Sequence, residues 1–196
     1  MTVYLTEDLI SNLTAITQAN IAFVNKKCSR LSQKQLNWKP STGVWSIQDI
    51  LSHLNAYSRY YHKAFEEKIT HTKFTQAKET FTPSPLGKSA WKSMKLGRAN
   101  NVKRKFKAPR NYNPLQNTSI IEDDAASVFL QDQNDLISIL EKAKTVNLRK
   151  VKVKISISKF VRLRLGDALM FVVYHNERHV QQIKNLLAHR NFPNKK

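Results

Sequence analysis

The chain has 196 residues, 41% of them hydrophobic, and its 33 Lys and Arg against 14 Asp and Glu give a formal charge of +19. This is enough apolar material for one compact core, and it excludes a chain that is mostly disordered. The longest uninterrupted apolar run, residues 168–174, is far shorter than the roughly 20 residues of a membrane-spanning helix, so we expect no membrane protein.

The first residues and the cysteine content indicate the compartment. Glu7 and Asp8 come early and no apolar run precedes them, so we expect no signal peptide. Cys28 is the only cysteine, which excludes an intrachain disulfide and a cysteine-based metal site. These features predict a cytoplasmic protein.

Two helices are predicted in the first third of the chain. The apolar spacing predicts a helix from about residue 7 to about residue 30, with Thr6 as its N-cap. A second helix begins after Ser46, because Asp49 follows three residues later as in a capping box. Its apolar stripe ends near Thr70.

A long basic connection follows, from residue 71 to residue 118. It contains eleven Lys and Arg and a single acid, Glu79. Four of the six prolines of the chain lie between residues 83 and 114, so we expect mostly irregular structure. Only a short helical piece, around residues 89–96, is predicted there.

Two more helices are predicted in the rest of the chain, at about residues 122–144 and about residues 165–189. Between them, residues 149–157 alternate strictly between polar and apolar side chains. Without an obvious partner strand, we interpret this stretch as an extended connector. The sequence therefore predicts an all-α protein, a single four-helix-bundle domain over residues 1–196 with a long basic crossover between helices 2 and 3.

Three histidines are candidate metal ligands. His175 and His179 are four residues apart, so on a helix they lie one turn apart on the same face and can share an ion. His53 lies beside the apolar stripe of the second helix, whereas His62 falls on the opposite side and His189 lies too far along its helix. The alternatives are a surface histidine pair and a core-edge histidine that hydrogen-bonds a neighbour.

Two polar residues are candidates for orienting these imidazoles. Asp49 precedes His53 by one turn, and Gln182 follows His179 closely. Asp49 has the competing role of capping its helix.

Four stretches of the chain carry a resemblance to a known family: residues 31–40, residues 45–54 with the sequence WSIQDILSHL, Lys107-Ala108-Pro109 with Pro114, and residues 165–169 followed by residues 175–183 with the sequence HNERHVQQI. Together they resemble the DinB-like superfamily, also called the bacillithiol transferase-like or metal-dependent hydrolase family. The resemblance implies a four-helix bundle and a divalent metal, usually nickel or zinc, held by the residues His53, His175 and His179. It also implies that a dimer is plausible.

The resemblance leaves the activity open between hydrolysis and thiol transfer. Characterised relatives include transferases and isomerases that use a low-molecular-weight thiol, bacillithiol or mycothiol. Three imidazoles leave an open position on the metal, where a water molecule or a thiolate can bind next to a small-molecule substrate. Any thiol would come from a cofactor, because a lone cysteine such as Cys28 is usually a small core residue.

Two readings without catalysis remain. The chain could be a bundle that binds metal without being an enzyme. It could also bind nucleic acid through the loop 88–112, where basic side chains are interspersed with Phe106 and Tyr112. The candidate anion contacts in that loop are Lys103, Arg104, Lys105, Lys107 and Arg110.

Overall fold

A computed structural model of the protein describes residues 2–102 and 106–193. The elements, in chain order, are β1 (Tyr4–Leu5), α1 (Thr6–Lys27), α2 (Gln33–Leu36), α3 (Ile47–Thr70), β2 (Thr80–Phe81), α4 (Pro85–Met94), α5 (Ala125–Ala143), β3 (Lys152–Ile155), β4 (Ser158–Arg164) and α6 (Leu165–Leu187). Two single 3₁₀ turns, Arg110–Tyr112 and Thr118–Ile120, lie between α4 and α5.

The four long helices α1, α3, α5 and α6 form the bundle. Helix α3 packs against α5 and α6, and α1 packs against the same two helices from the other side. The predicted bundle with a long crossover between its second and third helices is therefore confirmed. No helix in the described part of the chain is both long and apolar enough to cross a membrane.

The start of α3 follows the predicted capping box. The Ser46 hydroxyl accepts a hydrogen bond from the Asp49 N–H, and the Asp49 carboxylate accepts one from the Ser46 N–H at 2.9 Å. These reciprocal bonds satisfy two backbone donors that a helix N-terminus leaves open. They fix the point at which α3 begins, and with it the direction in which His53 projects.

The start of α1 differs from the prediction. Thr6 is the first helical residue and Leu5 is the N-cap. The Thr6 hydroxyl instead donates to the backbone carbonyl of Lys78 at 2.7 Å. This bond extends the short antiparallel pair of β1 and β2, which ties the start of the chain to the crossover.

The crossover contains more helix than we predict from its composition. Helix α4 begins at Pro85, not near residue 89, because Ser84 caps it and a proline suits the first helical position. It packs along α6, and Trp91 is buried in the core. Part of the crossover is thus an additional helix that packs on the outside of the bundle.

The interpretation of residues 149–157 as an unpaired connector is wrong. Strand β3 pairs with β4 in an antiparallel hairpin, with Lys152 opposite Arg164 and Lys154 opposite Arg162. The partner strand follows immediately in the sequence and runs directly into α6. The alternating pattern buries the side chains of Val153 and turns the lysines outward.

Two apolar clusters make up the core of the bundle. One contains Tyr57, Tyr61 and Val172 among its buried side chains. The other contains Ile50, Leu54 and Val180. On α6, residues 175–179 lie between the two clusters and carry polar side chains.

Candidate metal centre

Three histidines meet between the two apolar clusters. His53 comes from α3, and His175 and His179 come from successive turns of α6. Ligand nitrogens of all three rings lie within 4.8 Å of one another. The residues are only 2%, 7% and 8% exposed, respectively, so the group is held in the interior.

Hydrogen bonds fix the orientation of two of the rings. His53 Nδ1 bonds the backbone carbonyl of Tyr112 at 2.5 Å, and His179 Nδ1 bonds Gln182 Oε1 at 2.8 Å. Both partners are oxygens that only accept, so each Nδ1 carries the hydrogen and donates it. The Nε2 atoms of His53 and His179 then carry the lone pair that metal coordination requires.

Burial keeps the three imidazoles neutral at pH 7. It lowers the pKa of His53 to about 4, against a smaller opposing effect of the bond to Tyr112. The pKa values of His175 and His179 also lie well below the usual range, first because of burial and then because neighbouring rings and Arg178 disfavour a further positive charge. Neutral imidazole is the form that binds metals.

Aromatic rings enclose the histidines. The Trp45 ring lies 4.8 Å from His53 and 5.9 Å from His179, between centroids. The Tyr57 ring lies 4.9 Å from His53 and 4.6 Å from His175. These contacts hold the imidazoles in place and exclude water from their flanks.

The nitrogen positions fit one divalent ion. Two nitrogens bound at about 2.0–2.1 Å to a tetrahedral ion lie about 3.3–3.4 Å apart. The Nε2 atoms of His53 and His175 are 3.3 Å apart. The donor set, its protonation and this spacing therefore all suit a metal ion.

A large cavity opens onto the three rings. Its volume is about 1010 Å³, and its lining is mainly apolar, with all three histidines in the wall. The side chain of Arg178 also lines it, donating to the Ser93 carbonyl at 3.2 Å while its guanidinium lies 5.3 Å from the Phe106 ring centroid. A small molecule that enters this cavity reaches the imidazoles directly.

Of the two residues expected to orient the rings, Gln182 contacts a histidine and Asp49 does not. Gln182 hydrogen-bonds His179. The Asp49 carboxylate caps α3 and pairs with Lys39 at 2.7 Å, and the Tyr112 carbonyl takes the place beside His53 that we expected for Asp49. The capping role of Asp49 therefore replaces the orienting role.

Two of the five candidate anion contacts of the crossover lie within the described residues. Lys107 lines the large cavity and Arg110 is exposed at the start of a 3₁₀ turn. Lys103, Arg104 and Lys105 lie outside the described residues.

Sequence reasoning missed two groups near the histidines. The Tyr112 carbonyl is a backbone atom 59 residues away from His53 in the chain, so no side-chain pattern could have identified it. Arg178 was visible between the histidines, but only the packing of α4 against α6 shows that it is buried.

A second group of possible ligands lies on α3 and α5. Ligand atoms of His62, Asp132 and Asp135 are within 4.8 Å of one another. Burial raises the pKa of Asp132 to about 6 and lowers that of His62 to about 4. None of the three lines the large cavity.

Comparisons with known proteins agree with this architecture. The family model of the DinB superfamily matches residues 22–183. The uncharacterized protein YuaE of Bacillus subtilis (strain 168) is 25% identical over 158 residues, which are 80% of this chain and 85% of YuaE. The solved structure of YfiT from Bacillus subtilis, described as a probable metal-dependent hydrolase with an unusual four-helix bundle topology, is 14% identical and superposes with a TM-score of 0.53 over 90% of this chain and 84% of YfiT.

Proposed function

Since the chain belongs to the DinB superfamily, we propose that it is a metal-dependent hydrolase of small molecules, with His53, His175 and His179 as the metal ligands. The proposal is carried by one observation. Three neutral histidines with convergent nitrogens form part of the wall of a cavity of about 1010 Å³. These three residues would hold a divalent ion at the cavity wall, where it would be accessible to a small molecule.

Each residue of the site has a defined part in this proposal. A divalent ion, zinc or nickel, supplies Lewis-acid activation of a water molecule and of a substrate oxygen. Gln182 and the Tyr112 carbonyl hold the two imidazoles with their Nε2 atoms toward the ion. Trp45 and Tyr57 exclude bulk water from the flanks of the ligands.

The cavity also limits the substrate. Its apolar wall favours a molecule with an apolar body, and Arg178 and Lys107, which both line it, supply cations for a polar end. Burial raises the pKa of the Cys28 thiol to about 12, and Cys28 lies outside the described lining of the cavity. A thiol for transfer chemistry would have to enter as a second substrate, whereas hydrolysis needs only water.

The first test is the metal content of the purified, untagged protein by plasma mass spectrometry. We expect about one divalent ion per chain in the wild type and a loss of that ion in His53→Ala, because two imidazoles no longer complete the site. The matched control is His62→Ala, which removes a histidine from the other ligand group on the same helix. We expect this variant to keep its ion.

Hydrolysis is measured in the same preparations with p-nitrophenyl esters of short and medium acyl chains. We expect turnover that is removed by a chelator, restored by the metal and absent in His53→Ala. If the ion is lost in His62→Ala but kept in His53→Ala, the metal binds to the group of His62, Asp132 and Asp135, and the proposed site is wrong. Equal turnover in the wild type and in His53→Ala would contradict hydrolysis at this site.

A further inference from the structure

The β3–β4 hairpin concentrates positive charge. Residues 149–164 contain seven Lys and Arg and no acid. In the described residues, the ion pairs involve other cations, namely Lys39, Arg59, Lys68, Lys142 and Lys144. Among the described residues, the outward cations Lys152, Lys154 and Arg162 therefore form no ion pair, whereas Arg164 lies near the Asp167 carboxylate.

The strand register places like charges directly opposite one another. Lys152 faces Arg164 and Lys154 faces Arg162 across the ladder, and Lys152, Lys154 and Arg162 are exposed. Like charges in opposite positions of a ladder destabilise the pair. The arrangement gives a basic ribbon, whose other side packs on the core through Val153 and Leu163.

A shallow cavity continues the basic ribbon at its base. It has a volume of about 520 Å³, and five of its eight lining residues are cations: Arg149, Lys150, Lys152, Arg162 and Arg164. Phe74 forms part of its wall, with Lys150 Nζ 5.5 Å from the ring centroid. No acid contributes to this lining among the described residues.

An aromatic ring stands at the other end of the ribbon. Phe160 is 94% exposed, next to the turn that joins the strands, and Ile157 in that turn is 65% exposed. A phenylalanine with so much of its surface in water has no packing role in the fold. Such a ring beside a row of cations is what proteins use to stack a base while the cations contact phosphates.

We propose that the β3–β4 hairpin binds single-stranded nucleic acid, with the phosphates along the outward Lys and Arg and a base stacked on Phe160. Outward residues of one strand are about 6.6 Å apart, so Lys152 and Lys154 can meet phosphates of an extended strand. The base of the ribbon, with its cationic cavity, continues the same track. This binding is independent of the metal centre, and it uses the hairpin, not the loop 88–112.

The placement of the charges favours a polyanion lying along the ribbon over a lipid surface touching its tip. A bilayer that took up Phe160 and Ile157 would meet the nearest cations, such as Lys154 and Arg162, at its surface. Lys152 and Arg164 lie one step farther from the tip, where they line the cationic cavity together with Arg149 and Lys150. A strand laid lengthwise passes the exposed cations Lys152, Lys154 and Arg162 together, and it reaches the cavity at the base of the ribbon.

The test measures binding of a fluorescein-labelled single-stranded DNA of about 20 nucleotides by fluorescence anisotropy at several salt concentrations. In the variant Lys152→Gln/Lys154→Gln/Arg162→Gln we expect the slope of log K against log salt to fall by about 2 and the affinity in about 0.1 M salt to fall about 100-fold. The matched control is Lys26→Gln/Lys27→Gln/Lys34→Gln, which removes the same charge from exposed positions elsewhere. We expect little loss in that variant.

The role of the ring is tested with Phe160→Leu, which keeps an apolar tip but removes the stacking surface. We expect about tenfold weaker DNA binding, with the salt slope unchanged. Vesicles containing phosphatidylserine and a duplex of the same sequence are the comparison ligands. The proposal is overturned by equal losses in the two triple variants, by vesicle binding without DNA binding, or by duplex binding that is as tight and does not depend on Phe160.

Discussion

At the scale of single residues, the orientation of His53 depends on a backbone carbonyl, not on a carboxylate. The Tyr112 carbonyl holds Nδ1 without adding a formal charge, so burial still dominates and the ring stays neutral. A carboxylate in the same place would favour the imidazolium form. The geometry of this ligand therefore depends on the position of the crossover near residue 112.

A half-buried carboxyl on α5, that of Asp132, makes stability depend on pH. Burial raises the pKa of Asp132 to about 6 in the folded protein, against about 3.9 in an unfolded chain. The folded state therefore favours the protonated carboxyl, so its contribution is fully present below about pH 4 and is lost as the pH rises through about 6. Asp132→Asn should raise the free energy of unfolding at pH 7 by about 1 kcal/mol, after allowance for partial exposure, and by less at pH 4.

Urea unfolding at both pH values measures this difference. The control is Asp123→Asn, which changes an exposed carboxylate near the start of α5 and should have the same small effect at both pH values. Destabilisation by Asp132→Asn at pH 7 would mean that the carboxylate makes interactions worth more than its cost of burial.

How far the sequence predicts the site is clear from individual residues. The spacing of His175 and His179, with the place of His53 beside an apolar stripe, predicts that the three approach one another, and the structure brings them within 4.8 Å. These relations follow from helix geometry, which is local and regular. The contact of His53 with Tyr112 spans 59 residues of irregular crossover, where no periodicity constrains the path of the chain.

At the scale of elements, one carboxylate of α6 holds the start of α4. Asp167 Oδ2 accepts hydrogen bonds from the Ser84 N–H at 3.0 Å and from the Ser84 hydroxyl at 2.8 Å. Gly87 leaves the space for this carboxylate, because a Cβ there would lie 2.1 Å from Asp167 Cγ. Because Leu86 and Ala90 of α4 line the large cavity, this attachment also shapes its wall.

The change in the free energy of unfolding caused by Gly87→Ala therefore has opposite signs depending on whether packing or helix propensity dominates. Propensity alone would make alanine stabilising by about 1 kcal/mol in a helix. We expect instead destabilisation of about 2 kcal/mol, because the new methyl group displaces the Asp167 carboxylate or pushes α4 away from α6. Thermal or urea unfolding measures the change.

The control for this variant is Ser89→Ala, which introduces the same side chain at an exposed position of α4. It should be neutral or slightly stabilising. Stabilisation by Gly87→Ala comparable to that of Ser89→Ala would show that α4 moves freely with respect to α6.

The hairpin marks the limit of prediction at this scale. Residues 149–157 have the alternating pattern of a strand. The segment that forms β4 is short, contains Phe160 and three cations, and leads directly into a helix, so its own sequence does not indicate a strand. The two strands pair through backbone groups, so the side-chain pattern of one strand does not identify its partner. Recognising the turn at residues 156–157 would have identified the pair.

At the scale of the whole molecule, positive charge is the dominant feature. The formal charge is +19, and the ion pairs among the described residues are mostly exposed. Exposed pairs contribute little, whereas an excess of one sign destabilises the folded state through self-repulsion. The helices are therefore held together by the two apolar clusters against an electrostatic penalty.

Salt should consequently stabilise this protein. Raising NaCl from about 0.01 M to about 1 M shortens the Debye length from about 30 Å to about 3 Å and screens the repulsion. We expect the melting temperature to rise by several degrees, since about 1 kcal/mol corresponds to about 2–4 °C for a chain of this size.

The variant Lys152→Gln/Lys154→Gln/Arg162→Gln relieves the paired charges of the hairpin, so it should start from a higher melting temperature at low salt and gain less from added salt. A melting temperature that falls as NaCl rises would mean that attractive ion pairs outweigh the repulsion, despite the excess of Lys and Arg.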